Sequence, residues 1–312
     1  MKSFLSRFGP VLGLILVFLL FSLLAPASFT SGRNLETIAR QTAIVGIAAL
    51  GMTLVIIAGG IDLSVGSTIA LTTVVIADCL ASGAGPLTAT GAGILAGSLC
   101  GLLNGLLISK LRVVPFIVTL GTLLLIRGVA KGLAHEQKID APITWLIELL
   151  AALPSASWWF VPPGVWLMVL LALLTAGFLG STRPGKHITA IGSNEATARL
   201  AGVAVSRTKV IVYTLSGVAA GLAGLMQFSR LTVGDPTVAV GLELDVIAAV
   251  VIGGGSLSGG EGSILGSMVG ALIMTIIRSG CSQMGLPNWV QEIVTGIIIV
   301  IAVALDRLRH RR

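Results

Sequence analysis

Apolar residues fill most of this chain in long blocks that short polar stretches separate. An α-helix needs about 20 predominantly apolar residues to cross the hydrocarbon core of a bilayer, and most blocks approach that length. An even number of spans places both termini on the same side of a membrane. We predict an all-α polytopic membrane protein with about ten transmembrane helices, at 10–26, 41–60, 63–81, 89–109, 114–131, 164–180, 209–228, 244–258, 262–280 and 288–305.

Composition agrees with a membrane protein. Of the 312 residues, 55% are hydrophobic and only 11% are charged, whereas about 25% of the residues of a soluble domain are charged. The mean hydropathy is +1.01. The net charge of +7 could indicate nucleic-acid binding, but the sequence has no soluble basic domain, so we expect no nucleic-acid partner.

The basic residues predict an orientation. Thirteen of the 20 Lys and Arg residues lie in the two termini and in the loops on their side, and five lie in the opposite loops. Because Lys and Arg favour the cytoplasmic side, both termini are predicted to be cytoplasmic. This bias also accounts for much of the positive net charge.

The chain is predicted to be one transmembrane domain, 1–312, with two internally related halves and two longer polar segments. The outer segment carries Trp158, Trp159 and Phe160, which suit either an interfacial belt or a docking surface for an external protein. The parts are an N-terminal half at about 1–131, an outer segment at about 132–163, an inner loop at about 181–209 and a C-terminal half at about 210–312.

The inner loop contains a predicted short helix. Ser193 or Asn194 can cap its N-terminus, and Gly202 can end it. A short exposed helix between two spans suits contact with a cytoplasmic partner.

Two glycine-rich breaks interrupt the apolar blocks, and each carries an acid. Loose backbone and charge survive in a bilayer only inside protein or beside water, and matched breaks in two halves indicate a transport pathway. Asp62 and Glu261 could cap the helices that follow or could act in gating or coupling. Because both breaks are predicted near the cytoplasmic face, helix junctions are favoured over a mid-membrane binding site. The gating or junction candidates are Gly59, Gly60, Asp62, Ser64, Gly66, Gly253, Gly254, Gly255, Gly259, Gly260 and Glu261.

Glycines that recur every four residues predict close helix packing, because small residues let helix backbones touch. The fourth predicted span has such a row, and the ninth repeats it. The residues are Gly93, Gly97, Gly101 and Gly105, then Gly262, Gly266 and Gly270.

Nothing in the sequence predicts chemistry of its own. Residues 180–187 resemble a phosphate-binding loop but are one residue short, and His187 stands where a hydroxyl should bind magnesium. There is no Ser–His–Asp set and no metal-binding cluster, so we expect no enzyme activity, bound cofactor or metal. Pumping would need a partner protein or an ion gradient.

Several blocks in the right order resemble a known family. GGIDLSVGS at 59–67 is similar to the signature of permease subunits from ribose-, xylose- and arabinose-type ABC sugar importers, within the superfamily of binding-protein-dependent inner-membrane transport components. The resemblance continues along nearly the whole chain. The further blocks are NLETIARQ (34–41), VVPFIVTLGTLLLIRG (113–128), AIGSNEATARLAGV (190–203) and LELDVIAAVVIGGGSLSGGEGSILGS (242–267).

This resemblance implies a multi-pass subunit of the bacterial inner membrane that forms a homodimer or heterodimer with a second permease. A periplasmic sugar-binding protein would dock outside, and a cytoplasmic ABC ATPase that uses ATP and Mg²⁺ would dock inside. The segment 192–202 matches the family's ATPase-coupling region. This sequence departs from the family's pattern at two positions. The family more often has Thr at the position of Gly255, and Glu261 puts an acid in a tight turn. The coupling candidates are Gly192, Asn194, Glu195, Arg199 and Gly202.

The implied function is import of a monosaccharide such as ribose. A branched-chain amino-acid permease of the same superfamily, an ion-coupled carrier and a receptor-like scaffold are the alternatives. No polar cluster in the sequence identifies the substrate-binding residues.

Overall fold

Helices make up most of residues 2–152 and 161–310, which this computed structural model describes. The predicted aromatic patch Trp158, Trp159 and Phe160 lies outside those ranges. Short 3₁₀ helices at Ala27–Thr30 and Trp145–Leu149 and a two-strand antiparallel ladder of β1 (Ile139–Asp140) and β2 (Val233–Gly234) complete the elements. The α-helices are α1 (Lys2–Leu24), α2 (Gly32–Ile57), α3 (Val65–Ala81), α4 (Pro86–Leu111), α5 (Pro115–Leu133), α6 (Pro163–Ser181), α7 (Arg183–Ser193), α8 (Glu195–Leu200), α9 (Val205–Leu231), α10 (Leu242–Ile252), α11 (Ile264–Gln283) and α12 (Asn288–His310).

Six of these helices are long and apolar enough to cross a membrane: α2, α4, α5, α6, α9 and α11. Three shorter apolar stretches lie in α1, α3 and α12. The prediction of an all-α polytopic membrane protein is therefore confirmed at that level.

The predicted span at 244–258 is wrong as a continuous helix. Helix α10 has 11 residues and is about 16 Å long at 1.5 Å per residue, roughly half of a 30 Å hydrocarbon core. The glycines that follow Ile252 form turns instead of continuing the helix. An apolar window alone does not show this, because residues 253–258 carry no charge and so do not end the window.

An irregular segment, 232–241, precedes α10 and lies along α3. The N–H of Asp235 donates to Thr73 Oγ1 over 3.3 Å, and a Cβ at Gly234 would lie 2.6 Å from Ala77 Cβ. Gly234, Asp235 and Pro236 are buried. Irregular backbone at membrane depth requires partners within the protein, and α3 supplies them.

Helix α2 lies at the centre of the fold. It begins at Gly32, nine residues before the predicted span, because Ser31 caps it: the N–H of Asn34 donates to Ser31 Oγ over 3.3 Å. Every residue from 42 to 58 is buried. A helix that is apolar all round belongs in such a position, and α6, α9, α10 and α11 surround it.

Helices α4 and α9 pack backbone against backbone. A Cβ at Gly97 would lie 2.6 Å from the carbonyl oxygen of Gly217, and one at Gly101 would lie 2.9 Å from Gly217 Cα. A Cβ at Gly105 would lie 2.8 Å from Val210 Cα. Gly93 faces α3 instead, where a Cβ would lie 2.6 Å from Ile76 Cγ1.

The second glycine row is divided between two contacts. Gly266 and Gly270 face the backbone of α10, where a Cβ at Gly270 would lie 2.7 Å from the carbonyl carbon of Ala249. Gly262 precedes α11 and packs against Ile57 of α2. A Cβ at Gly262 would lie 2.6 Å from Ile57 Cγ1.

Replacing Gly101 with Leu tests the α4–α9 contact. The side chain would overlap the backbone of α9, and overpacking of this kind costs about 1–3 kcal/mol or more. We expect a lower midpoint of thermal unfolding of the purified protein in detergent. Gly91→Leu in the same helix is the matched control, because nothing lies within 4 Å of a Cβ there; equal midpoints for the two variants would contradict the packing assignment.

Candidate functional site: a glycine junction and a polar cavity

The segment that follows α2 leaves the helical path at Gly59, whose φ is +80°. Two side chains hold the next turn by donating to the carbonyl oxygen of Ile61: Thr119 Oγ1 of α5 at 3.2 Å and the Tyr213 hydroxyl of α9 at 3.4 Å. The first break is thus fixed by neighbouring helices, as a membrane interior requires.

Asp62 is a buried carboxylate, 2% exposed. Its Oδ1 accepts from the backbone N–H of Ser64 at 3.0 Å and from the Ser64 hydroxyl at 2.6 Å, and its Oδ2 accepts from the Ser216 hydroxyl at 3.1 Å. Asn104 Nδ2 donates to Ser64 Oγ over 2.8 Å. This network ties the first break to α4 and α9.

The prediction that the two acids cap the following helices is wrong. The N-cap residue of α3 is Ser64, whose side chain makes no capping hydrogen bond. Asp62 accepts hydrogen bonds from Ser64 and not from a backbone N–H in the first turn of α3. Ser263 caps α11 by accepting from the N–H of Gly266 at 3.2 Å, and Glu261 is exposed. The Ser263 hydroxyl therefore caps α11, and no side chain caps α3.

The second break has two parts with different contacts. Gly253 packs against α11, where a Cβ would lie 2.6 Å from the Ser267 nitrogen, and Gly255 folds back on Val250 of α10. Gly254, with φ +93°, makes the turn between them. Gly259 and Gly260 form the other part and have φ values of +85° and +79°.

Gly66 contacts neither break. A Cβ there would overlap the carbonyl oxygen of Ala239 and Glu243 Oε2. It lets α3 approach the irregular segment that leads into α10.

Three segments that are distant in the sequence meet at backbone contacts. We call residues 57–60, 192–193 and 259–260 the glycine junction. The N–H of Gly260 donates to the carbonyl oxygen of Ile57 at 2.9 Å, which satisfies one of the free carbonyls at the end of α2. A Cβ at Gly259 would lie 2.7 Å from Gly192 O and 2.9 Å from Gly59 Cα. The structure therefore joins both breaks to the start of the predicted coupling segment.

Helix α8 is the predicted short helix, and its ends are confirmed. Asn194 accepts from the N–H of Thr197 at 2.9 Å, and Gly202, with φ +83°, ends the helix. Residues 183–187 belong to helix α7, which follows α6 directly, so they do not form the strand-to-helix turn of a phosphate loop.

A salt bridge of Glu195 links α8 to α9. Its Oε2 lies 2.7 Å from Lys209 Nζ, and its Oε1 lies 2.9 Å from Arg199 Nη2. The hydrogen bond from Lys209 lowers the pKa of Glu195 below its ordinary value, and Arg199 adds to the effect. Beside this pair, Leu200 is 90% exposed, so α8 presents an apolar tip next to a charge. Leu200 could not be singled out from the sequence, since its exposure depends on how α8 packs.

A polar cavity of about 400 Å³ lies between α2, α9, α10, α11 and α12. It opens at the end of the bundle where α2 and α12 begin and α11 ends, opposite to α7 and α8. No substrate-binding residues were predicted from the sequence, although polar side chains form stripes at helical spacing within two apolar helices. These stripes are Asn34, Thr37 and Gln41 on α2, and Thr275, Arg278, Ser279 and Ser282 on α11.

Comparison with known proteins places the chain in a family. Residues 34–303 match the family described as "Branched-chain amino acid transport system / permease component". The chain belongs to this permease family. It is 39% identical over 309 residues to the ribose import permease protein RbsC of Escherichia coli (strain K12), covering 99% of this chain and 96% of the relative.

Two further relatives show the same full-length likeness. The permease is 42% identical to RbsC of Bacillus subtilis (strain 168), over 97% of this chain and 93% of the relative. It is 34% identical to the L-arabinose transport system permease protein AraH of Escherichia coli (strain K12), over 98% of this chain and 92% of the relative. No solved structure matches the permease.

Gly192→Val tests the glycine junction. A side chain there would overlap the Ile57 carbonyl oxygen and lie 2.5 Å from the Gly260 nitrogen, so the junction must open. We expect faster proteolysis of the 181–209 loop in membranes and a lower unfolding midpoint. Gly180→Val is the control, since nothing lies within 4 Å of a Cβ at that position. A Gly192 variant as resistant as the control would show that the junction is not formed.

Proposed function

We propose that the permease is the membrane-spanning subunit of an ATP-driven importer that takes up a monosaccharide, a ribose-like pentose or related sugar, from a periplasmic binding protein. The supporting observation is the likeness over nearly the whole chain to permeases named for ribose and L-arabinose. The family description names branched-chain amino acids, and we keep import of such an amino acid as the second candidate.

The proposed topology has ten passages through the bacterial inner membrane, with both termini in the cytoplasm. The eighth passage combines the irregular segment 232–241 with α10, because α10 alone is too short. Helices α7 and α8 lie on the cytoplasmic side, and the segment that carries β1 lies on the periplasmic side. The bias of Lys and Arg supports this orientation.

In the proposed mechanism a cytoplasmic ABC ATPase binds α8, and a second permease subunit completes the pathway. ATP and Mg²⁺ are bound by the ATPase, and this chain needs no cofactor. ATPase closure moves α8, and the motion reaches the breaks through the contacts of Gly192 with Ile57 and Gly260. Positive-φ glycines in both breaks have the backbone freedom that moving contacts use.

Reconstitution tests the proposed function. The permease would be placed in proteoliposomes with an ABC ATPase and a periplasmic binding protein that co-purify with it, and uptake of D-ribose, L-arabinose and L-leucine would be measured. We expect ATP-dependent sugar uptake that a protonophore does not reduce. Uptake of L-leucine alone would support the amino-acid candidate, and uptake that needs an ion gradient instead of ATP would support a carrier.

Variants of α8 test the ATPase contact. Arg199→Glu and Leu200→Asp reverse the charge and the polarity of the exposed tip, and Glu195→Arg removes the link to Lys209. We expect each variant to abolish ATP-driven uptake while the amount of protein in the membrane is unchanged. Ala196→Ser, on the exposed surface of the same helix, should transport normally. Normal transport by the Arg199 and Leu200 variants would refute the contact.

A further inference from the structure

We infer that the polar cavity between α2, α9, α10, α11 and α12 is a binding site for the sugar within a single permease chain. The inference rests on the proposed function and adds a location for the substrate.

The cavity reaches deep into the bundle. Its lining runs along α2 from Asn34 to Val45, which is about 16 Å along the helix axis and so about half of the hydrocarbon thickness. Below Val45 the rest of α2 is buried as far as Ala58. The described chain is thus open from the end where a binding protein would deliver sugar and closed towards the glycine junction, as an outward-facing site should be.

Polar groups on the cavity wall have no partner among the described residues. The side-chain amides of Gln41 and Gln227 make no hydrogen bond there, and Gln227 is only 7% exposed. Asp245 Oδ1 is buried and accepts no hydrogen bond. Amides that face a cavity without a partner in the protein need hydrogen bonds from water or from a polar ligand. Water or a polar ligand is therefore the expected occupant of the cavity.

The charges disfavour a ligand with an ammonium group. Asp245 Oδ2 is paired with Arg278 Nη2 at 2.5 Å, so the carboxylate is already neutralised. Arg230 adds donors for a hydroxyl or ring oxygen. An amino acid would instead need a free carboxylate for its ammonium group.

The size and lining also favour a sugar. Thirteen of the 18 lining residues are polar, whereas the side chain of a branched-chain amino acid needs an apolar pocket. A volume of about 400 Å³ is in the usual range of small-molecule sites. It admits a monosaccharide with bridging water molecules, which transmit hydrogen bonds effectively.

Transport by variants of the two unpartnered amides tests the site. In the reconstituted importer, Gln41→Leu and Gln227→Leu keep the approximate side-chain size and remove the hydrogen-bonding groups. We expect uptake of the transported sugar at limiting concentration to fall at least about tenfold, the equivalent of 1.4 kcal/mol. Stimulation of the ATPase by loaded binding protein should persist. Thr214→Val on the same helix as Gln227, outside the cavity lining, is the control.

A failure of this inference differs from a failure of the proposed function. If the wild-type importer takes up no sugar, the proposed function is wrong and the site has no substrate. If the wild type takes up sugar and both leucine variants match it in KM and rate, the site assignment alone is overturned.

Chemical modification gives a readout that does not depend on transport. In a variant with Cys79, Cys100 and Cys281 replaced by Ser, Gln227→Cys should react with a membrane-impermeant thiol reagent added to the periplasmic side. D-ribose, D-xylose, L-arabinose or D-galactose should slow the reaction, and L-leucine should not. An unreactive thiol in folded protein would show that the cavity is closed to that side. A reaction that none of these sugars slows would also overturn the inference.

Discussion

Close approach of main chains, which only glycine permits, is the constraint on which this structure depends. Within a bilayer, helices gain little from hiding apolar surface from water, because lipid tails are equally apolar; close van der Waals packing takes over that role. Gly97, Gly101 and Gly217 bring α4 and α9 together in this way, and Gly192, Gly259 and Gly260 do so at the junction. Larger residues at either place would separate elements that must share backbone contacts.

The second requirement is that every interrupted helix must find new partners for its backbone. Each solution is specific to its break. The Ile57 carbonyl oxygen accepts a hydrogen bond from the N–H of Gly260, and the Ile61 carbonyl oxygen accepts two from side-chain hydroxyls. The buried Asp62 organises the turn before α3. The irregular segment before α10 uses α3 for the same purpose. Interrupted helices are thus compatible with the membrane because neighbouring helices replace the missing bonds.

The sequence predicted much of this architecture because apolar length and glycine spacing are local properties. Helix α8, its cap Asn194 and its terminator Gly202 were readable for the same reason. The length of α10 was misjudged, because the predicted span was continued through the uncharged segment 253–258 although its glycines were identified as a break. The glycine junction was beyond prediction from one sequence, since Gly59, Gly192 and Gly260 meet only through the fold. The polar stripes of α2 and α11 are visible in the sequence, but only the fold brings them together with residues of α9, α10 and α12 around one cavity.

The continuity of α9 has a mechanical consequence. At one end of this helix Lys209 holds Glu195 of α8, and near the other end Gln227 reaches the wall of the polar cavity. The 18 helical steps from Lys209 to Gln227 span about 27 Å without interruption. Because the helix is continuous, a displacement of α8 would move the cavity wall at Gln227 as part of one rigid body, without any relay of side-chain rearrangements.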